Sequence, residues 1–162
     1  MDRLWAPWRG VYIGKDHGSG CIFCEKLNAA VEKDRENYVL YRGEKVFVIL
    51  NIYPYNNGHL LVAPRRHVGD IEDLDAGEMQ ELFSVTQRMV KLMRSAFNPD
   101  GFNVGVNLGK IAGAGIPGHF HIHIVPRWGG DTNFMPVLGD VRVISEALEV
   151  TYNKLKEAMD RE

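Results

Sequence analysis

The chain reads as an α+β domain on an antiparallel sheet of about five strands, and three stretches predict it. Residues 119–125 alternate, so His119, His121 and His123 share one side of an extended chain while Phe120, Ile122 and Ile124 take the other. Tyr38 to Arg42 and Lys45 to Leu50 are short apolar runs joined by a tight turn at Gly43–Glu44, the pattern of an antiparallel hairpin. From Asp75 to about Phe97 the apolar residues recur at helical spacing. At 162 residues the chain is one domain by size, with enough length for a real core.

The elements follow in order. Residues 1–20 form an irregular arm broken by Gly10, Gly14, Gly18 and Gly20; Trp5 and Trp8 pin it to the body or to a second subunit, or pack in the core. The core spans 21–130. It opens with Cys21-Ile22-Phe23-Cys24 and a polar helical stretch from Glu25 to Lys33. The hairpin comes next, then Asn51 to Gly58, whose Pro54, paired asparagines and glycine are loop chemistry. His59 to Ala63 is a strand stopped by Pro64. Asp75 and Glu78 have the spacing of a capping box at the start of the long helix. Its stripe of Met79, Leu82, Phe83, Met89, Val90, Met93 and Phe97 is expected to be core, and Asn98-Pro99-Asp100-Gly101 ends it. Phe102 to Asn107 is a strand, Gly109 to Gly118 a glycine-rich loop, and the histidine strand follows directly. Residues 131–162 form a C-terminal extension with a last helix over about Val143–Met159. No repeat, low-complexity tract or linker divides the chain.

Composition excludes several classes. A net charge of −2 argues against binding a nucleic-acid polymer. No apolar run reaches membrane-spanning length, and the N-terminal residues lack a secretory apolar stretch, so a cytoplasmic location with no membrane partner is expected. In a reducing compartment the two cysteines do not form a structural disulfide.

Three adjacent imidazoles bring many donors and acceptors, and a chain does not bury them without a use. They ligate a catalytic metal, or one is a nucleophile supported by its neighbours; simple hydrogen-bonded burial is the bland alternative. The glycine loop immediately before them favours phosphoryl chemistry, because consecutive amides of such a loop suit an anion. A neutral imidazole, with a pKa near about 6.5, is a competent nucleophile at cellular pH. A backbone carbonyl holding the far ring proton would fix its tautomer, and His123 with loop amides would stabilise charge on the phosphoryl oxygens. Cys21-x-x-Cys24 is half of a tetrahedral zinc site, a pair of buried thiols, or a redox pair. His17 has no evident partner.

His119-Phe-His121-Ile-His123-Ile-Val125 resembles the histidine-triad motif, and the chain is similar over nearly its whole length to that family of nucleotide hydrolases and transferases. Leu50-Asn51, Asn57 to Val62, Val106-Asn107 and Pro126-Arg127 resemble its fragile-histidine-triad branch; Arg3 to Arg9 and Pro126 to Asp131 resemble bacterial members acting on diadenosine tetraphosphate. The resemblance implies the histidine-triad α+β fold, usually paired as a homodimer. It implies a nucleotide substrate, with dinucleoside polyphosphates leading and nucleoside phosphoramidates or adenosine phosphosulfate as alternatives, cleaved by water or phosphate. A non-catalytic nucleotide-binding module is the competing class. By similarity His121 takes the nucleotidyl group, His119 and His123 flank it, and His59 supports it. Asn51 matches the ribose contact, while Asn107 and Ala114-Gly115-Ile116-Pro117 match positions around the phosphates. Gly115 departs from the pattern: hydrolase-type members often carry Gln or Ser four residues before the first histidine. Zinc-binding relatives use two cysteines, a histidine after the third strand and the first histidine of the motif, which implies Zn2+ held structurally by Cys21, Cys24, His67 and His119.

Overall fold

The computed structural model describes residues 20–139 and 143–162. The expectations for the arm, including Trp5, Trp8 and His17, lie outside the described residues.

The first hairpin pairs β1 (Val39–Arg42) with β2 (Val46–Leu50), and β2 pairs in turn with β3 (Leu60–Pro64). β4 (Gly101–Val106) and β5 (Ile122–Arg127) complete a five-stranded sheet in the order β1-β2-β3-β5-β4, antiparallel throughout. Both faces of the centre are covered. On one side α3 (Ala76–Phe97) and α5 (Leu148–Met159) bury Val46, Val48, Leu50, Leu60, Val62, Phe120, Ile122 and Ile124. On the other side α1 (Ile22–Asn28) lays Phe23 against Phe47, Ile49, Leu61 and Ala63. That double cover explains why β2 and β3 are continuous apolar runs rather than alternating ones.

The capping box forms as the spacing predicts. Asp75 accepts the Glu78 amide at 2.7 Å, and Glu78 accepts the Asp75 amide at 2.9 Å. Asn98, at φ +47°, closes the helix with its N–H on the Arg94 carbonyl. The apolar stripe is a correction in part. Met79 and Phe83 are 44% and 71% exposed. The buried stripe is centred on Leu82, Val85, Met89 and Leu92, and at 3.6 residues per turn Met79 and Phe83 sit roughly 100° and 140° around the helix from its centre. That flank leans toward β4, where Arg94 lies 5.2 Å over the Phe102 ring.

Three boundaries differ from expectation. The stretch after the cysteines is α1, a 3₁₀ turn at Val31–Lys33 and the one-turn α2 (Asp34–Asn37), not one helix. The C-terminal extension carries a short α4 (Met135–Leu138), and the last helix starts at Leu148 rather than Val143. The ladder of β5 begins at Ile122, three residues after His119. β3 ends at Pro64, so Phe120 donates instead to the Val68 carbonyl at 2.6 Å.

Candidate active site and an adjoining Cys–His cluster

Strand parity sends His119, His121 and His123 to the sheet face that carries Phe23, while Phe120, Ile122 and Ile124 enter the main core. Each histidine then meets different partners. His121 is buried and its Nδ1 donates to the His119 carbonyl at 2.8 Å. The proton is thereby assigned to Nδ1, and Nε2 keeps its lone pair. Burial pushes the His121 pKa down against that hydrogen bond, which favours the neutral ring. Its floor is the Phe23 ring, 5.1 Å away between centroids.

His123 sits beside it, 4.8 Å from ring to ring. Behind His123 lies the fully buried His59, whose Nε2 is 2.9 Å from His123 Nδ1. The Tyr55 N–H donates to His59 Nδ1 at 3.1 Å, and the Asn51 amide nitrogen lies 3.3 Å from the same atom. An accepting Nδ1 puts the His59 proton on Nε2, so His59 donates to His123 Nδ1 and His123 carries its own proton on Nε2. The row Tyr55–His59–His123 therefore ends in an N–H donor next to a nitrogen lone pair on His121.

Asn51 is turned inward: its Oδ1 accepts the Tyr53 N–H at 2.9 Å, so both ends of its amide engage the 51–59 loop. In the glycine loop, Gly109 and Gly113 adopt φ of +77° and +96°, which a Cβ would strain. The Gly113 and Ala114 amides bond the Lys110 and Gly109 carbonyls, and Asn107 reaches the Gly113 carbonyl at 3.5 Å. Ala114 is buried, Gly115 and Ile116 are half-buried and Pro117 is exposed; the Ile116 carbonyl accepts the His119 N–H at 3.2 Å, tying this segment to the start of the histidine run.

His119 does not join the row. Its Nε2 donates to the Pro64 carbonyl at 2.8 Å, and its Nδ1 faces Cys21 Sγ at 3.3 Å and Cys24 Sγ at 3.7 Å. His67 Nδ1 lies 3.3 Å from Cys24 Sγ. All four ligand atoms fall within 4.8 Å of one another. A tetrahedral ion with Zn–S near 2.3 Å and Zn–N near 2.0–2.1 Å separates its ligand atoms by roughly 3.3–3.8 Å; the donor types fit zinc, and the three sulfur–nitrogen separations of 3.3, 3.3 and 3.7 Å fall in that range. The bond to Pro64 is the outer support that fixes a ligating imidazole. Burial and the neighbouring Cys21 push the Cys24 thiol pKa up, a shift that a bound cation reverses.

Sequence reasoning did not single out Tyr55, Phe23 or Asn56. Tyr55 stacks on His123 at 5.6 Å and 13° and lies 4.5 Å from His59. These residues sit in a loop and a short helix, and no periodicity marks them. Asp131, within the quoted Pro126–Asp131 segment, accepts from Arg127 Nε and Nη2 at 2.6 and 2.9 Å and from Asn56 at 2.8 Å. Those bonds, with the Trp128 amide and the Thr132 hydroxyl, hold its carboxyl far below the usual carboxylate range.

Residues 32–130 match the HIT domain. The chain is 40% identical over 157 residues to the AP-4-A phosphorylase of Mycobacterium tuberculosis, covering 93% of this chain and 80% of that protein. It is 36% identical over 93 residues to the bis(5'-adenosyl)-triphosphatase of Dictyostelium discoideum, covering 57% of this chain and 62% of that one. A Zn-bound histidine triad family protein from Mycobacterium smegmatis superposes with a TM-score of 0.69 at 28% identity, over 88% of this chain and 94% of that one. The chain belongs to the HIT domain family.

Proposed function

We propose that this protein is an enzyme that cleaves dinucleoside polyphosphates, with diadenosine tetraphosphate the leading substrate, through a nucleotidyl group carried on His121 Nε2. The names of its relatives, an AP-4-A phosphorylase and a bis(5'-adenosyl)-triphosphatase, support the substrate class. The observation that carries the mechanism is the bond from His121 Nδ1 to the His119 carbonyl, which reserves the opposite nitrogen for attack. That lone pair forms a bond to the α-phosphorus and the bond to the leaving oxygen breaks. His123 Nε2–H protonates the departing oxygen, and His59 holds His123 in that tautomer. A phosphate or water oxygen then attacks the same phosphorus, loses its proton to His123, and the P–N bond breaks to restore His121. The resemblance assigns the phosphates to Asn107 and the Ala114-Gly115-Ile116-Pro117 segment and the ribose to Asn51, whose side-chain amide is engaged at both ends within the 51–59 loop and would have to turn outward to reach it.

Phosphate is the favoured acceptor: Gly115 offers no side chain to hold a water or a leaving oxygen, and the mycobacterial relative is named a phosphorylase. Zn2+ held by Cys21, Cys24, His67 and His119 is structural, cross-linking α1, the segment after β3 and the start of the histidine run. A homodimer forms through β4, which among the described residues pairs with β5 alone. No helix of the described residues is long and apolar enough to cross a membrane, and a nucleotide substrate with cysteines that serve as metal ligands rather than a disulfide suits the cytoplasm.

Incubation with diadenosine tetraphosphate tests this. With phosphate, ADP and ATP appear in equal amounts; with water alone, any turnover gives AMP and ATP. Quenching mid-reaction and weighing the polypeptide shows an adenylyl adduct. Product formed with no adduct at any time overturns the covalent route, and product independent of phosphate overturns phosphorolysis.

A further inference from the structure

The loop from Asn51 to Gly58 does more than connect two strands. Tyr55 touches both histidines of the row, the buried His59 and the half-buried His123, by different means. Its backbone N–H is on His59 Nδ1 at 3.1 Å, which sets where the His59 proton sits. Its ring lies nearly parallel to His123, 13° apart with centroids at 5.6 Å, and packs on His59 at 4.5 Å. One residue thus fixes the tautomer of the inner imidazole and the plane of the outer one.

The next residue explains why the loop holds that pose. Asn56 Nδ2 donates to Asp131 Oδ2 at 2.8 Å and lies 3.2 Å from the Pro126 carbonyl at the end of β5. Asp131 is in turn clamped by Arg127, whose remaining nitrogen donates to Asn103 of β4 at 2.8 Å. The Asp131 carboxylate, only 9% exposed, is a hub with no part in the nucleophilic step. It ties the loop to the ends of β4 and β5, and β5 is the strand that carries His123. Loop and strand therefore move as one body, and the distance between Tyr55 and His123 is set at both ends.

We propose that Tyr55 is a positioning residue for His123, held in register by the Asn56–Asp131–Arg127 tie, and that this assembly serves the protonation of the leaving oxygen rather than the attack on phosphorus. The inference rests on the functional assignment above. It makes a distinction that general packing does not. Help from a general acid matters in proportion to how poor the leaving group is, and becomes dispensable when the departing oxygen is stable as an anion. Damage confined to His123 must therefore fall on poor leaving groups and spare good ones.

The test uses two aryl esters of AMP, one releasing 4-nitrophenolate and one releasing unsubstituted phenolate, whose acid has a pKa of about 10. Release of the phenol and growth of the His121 adduct are followed in the full-length protein. Tyr55→Ala is expected to slow kcat on the phenyl ester at least tenfold and on the nitrophenyl ester less than threefold. Tyr55→Phe, which keeps the ring, restores the wild-type ratio. Asn56→Ala keeps the ring but cuts the tie, and shifts the ratio in the same direction; it also serves if Tyr55→Ala does not fold. Equal losses on both esters, or none, in whichever of these variants folds overturns the positioning role. Absence of any adduct in the wild type overturns the functional assignment instead, so the two failures are told apart.

Discussion

The His119 carbonyl accepts the Nδ1 proton of His121 at 2.8 Å, while the His119 ring turns the other way, to Cys21, Cys24 and Pro64. One residue so serves the nucleophile with its backbone and the Cys–His cluster with its side chain. The three imidazoles consequently do not converge on one metal, which disfavours a mechanism in which all three are ligands. Replacing His121 by Gly removes the attacking nitrogen but leaves the His119 backbone intact. Turnover of diadenosine tetraphosphate is expected to fall by on the order of 10⁶-fold, the scale seen when a covalent nucleophile is lost, while near-UV circular dichroism and Tm stay close to wild type. Activity within tenfold of wild type would remove His121 from the centre of the mechanism. At this scale the triad was legible because alternation alone puts three imidazoles on one face. Tyr55 was not: its place depends on a loop conformation set by Asn56 and Asp131, residues 75 positions apart in sequence.

For the long helix α3, the start was legible to the residue, since Asp75 and Glu78 are spaced for reciprocal capping and form both bonds. Its orientation was not. Met79 and Phe83 fit the helical period as well as Leu82 and Met89 do, and periodicity cannot say which of two apolar flanks meets the sheet. The cap itself leads to a pH prediction. Glu78 is 3% exposed and takes two bonds from Arg66, at 3.0 and 2.7 Å, in addition to the Asp75 amide. Arg66 foremost holds the Glu78 carboxyl below the ordinary glutamate value; Lys45, paired with Asp75, is the other cation nearby. A carboxylate whose folded pKa is depressed adds stability above its unfolded pKa of about 4.3, and that stability is lost as pH falls through the folded value. Glu78→Gln should therefore cost about 1–2 kcal/mol at pH 7, where a charged, capped and paired group is lost. The gap between variant and wild type should narrow steadily below about pH 4. Urea unfolding at both pH values checks it, and a gap unchanged with pH would mean that charge plays no part at this cap.

Across the whole molecule the centre of the sheet is covered on both faces while β4 stands at its margin with most of its residues exposed, and that placement was hidden from the sequence because the strand order β3-β5-β4 is a tertiary fact. Among the described residues β4 pairs with β5 alone, and it presents Val104 and Val106 at 49% and 36% exposure on the face that carries α3. An unpaired strand of this kind invites another strand unless something blocks it. The flank of α3 that failed to reach the core lies beside it, with Phe83 the most exposed aromatic of the sheet-covering helices and Arg94 over Phe102 linking helix to edge. The homodimer proposed above would set the exposed Phe83 side of α3 and the exposed valines of β4 against the same residues of a second copy. Placing a charge there should undo pairing without touching the active-site row, which lies on the opposite face of the sheet from α3. For the proposed homodimer, Phe83→Asp is expected to raise the dimer Kd by at least about tenfold, roughly the 1.4 kcal/mol per decade that a buried charge easily exceeds. Sedimentation velocity across a range of concentrations measures it, with Phe83→Leu as the control that keeps the surface apolar. A wild-type chain that sediments as a monomer, or a Phe83→Asp variant that stays dimeric, would put the interface elsewhere.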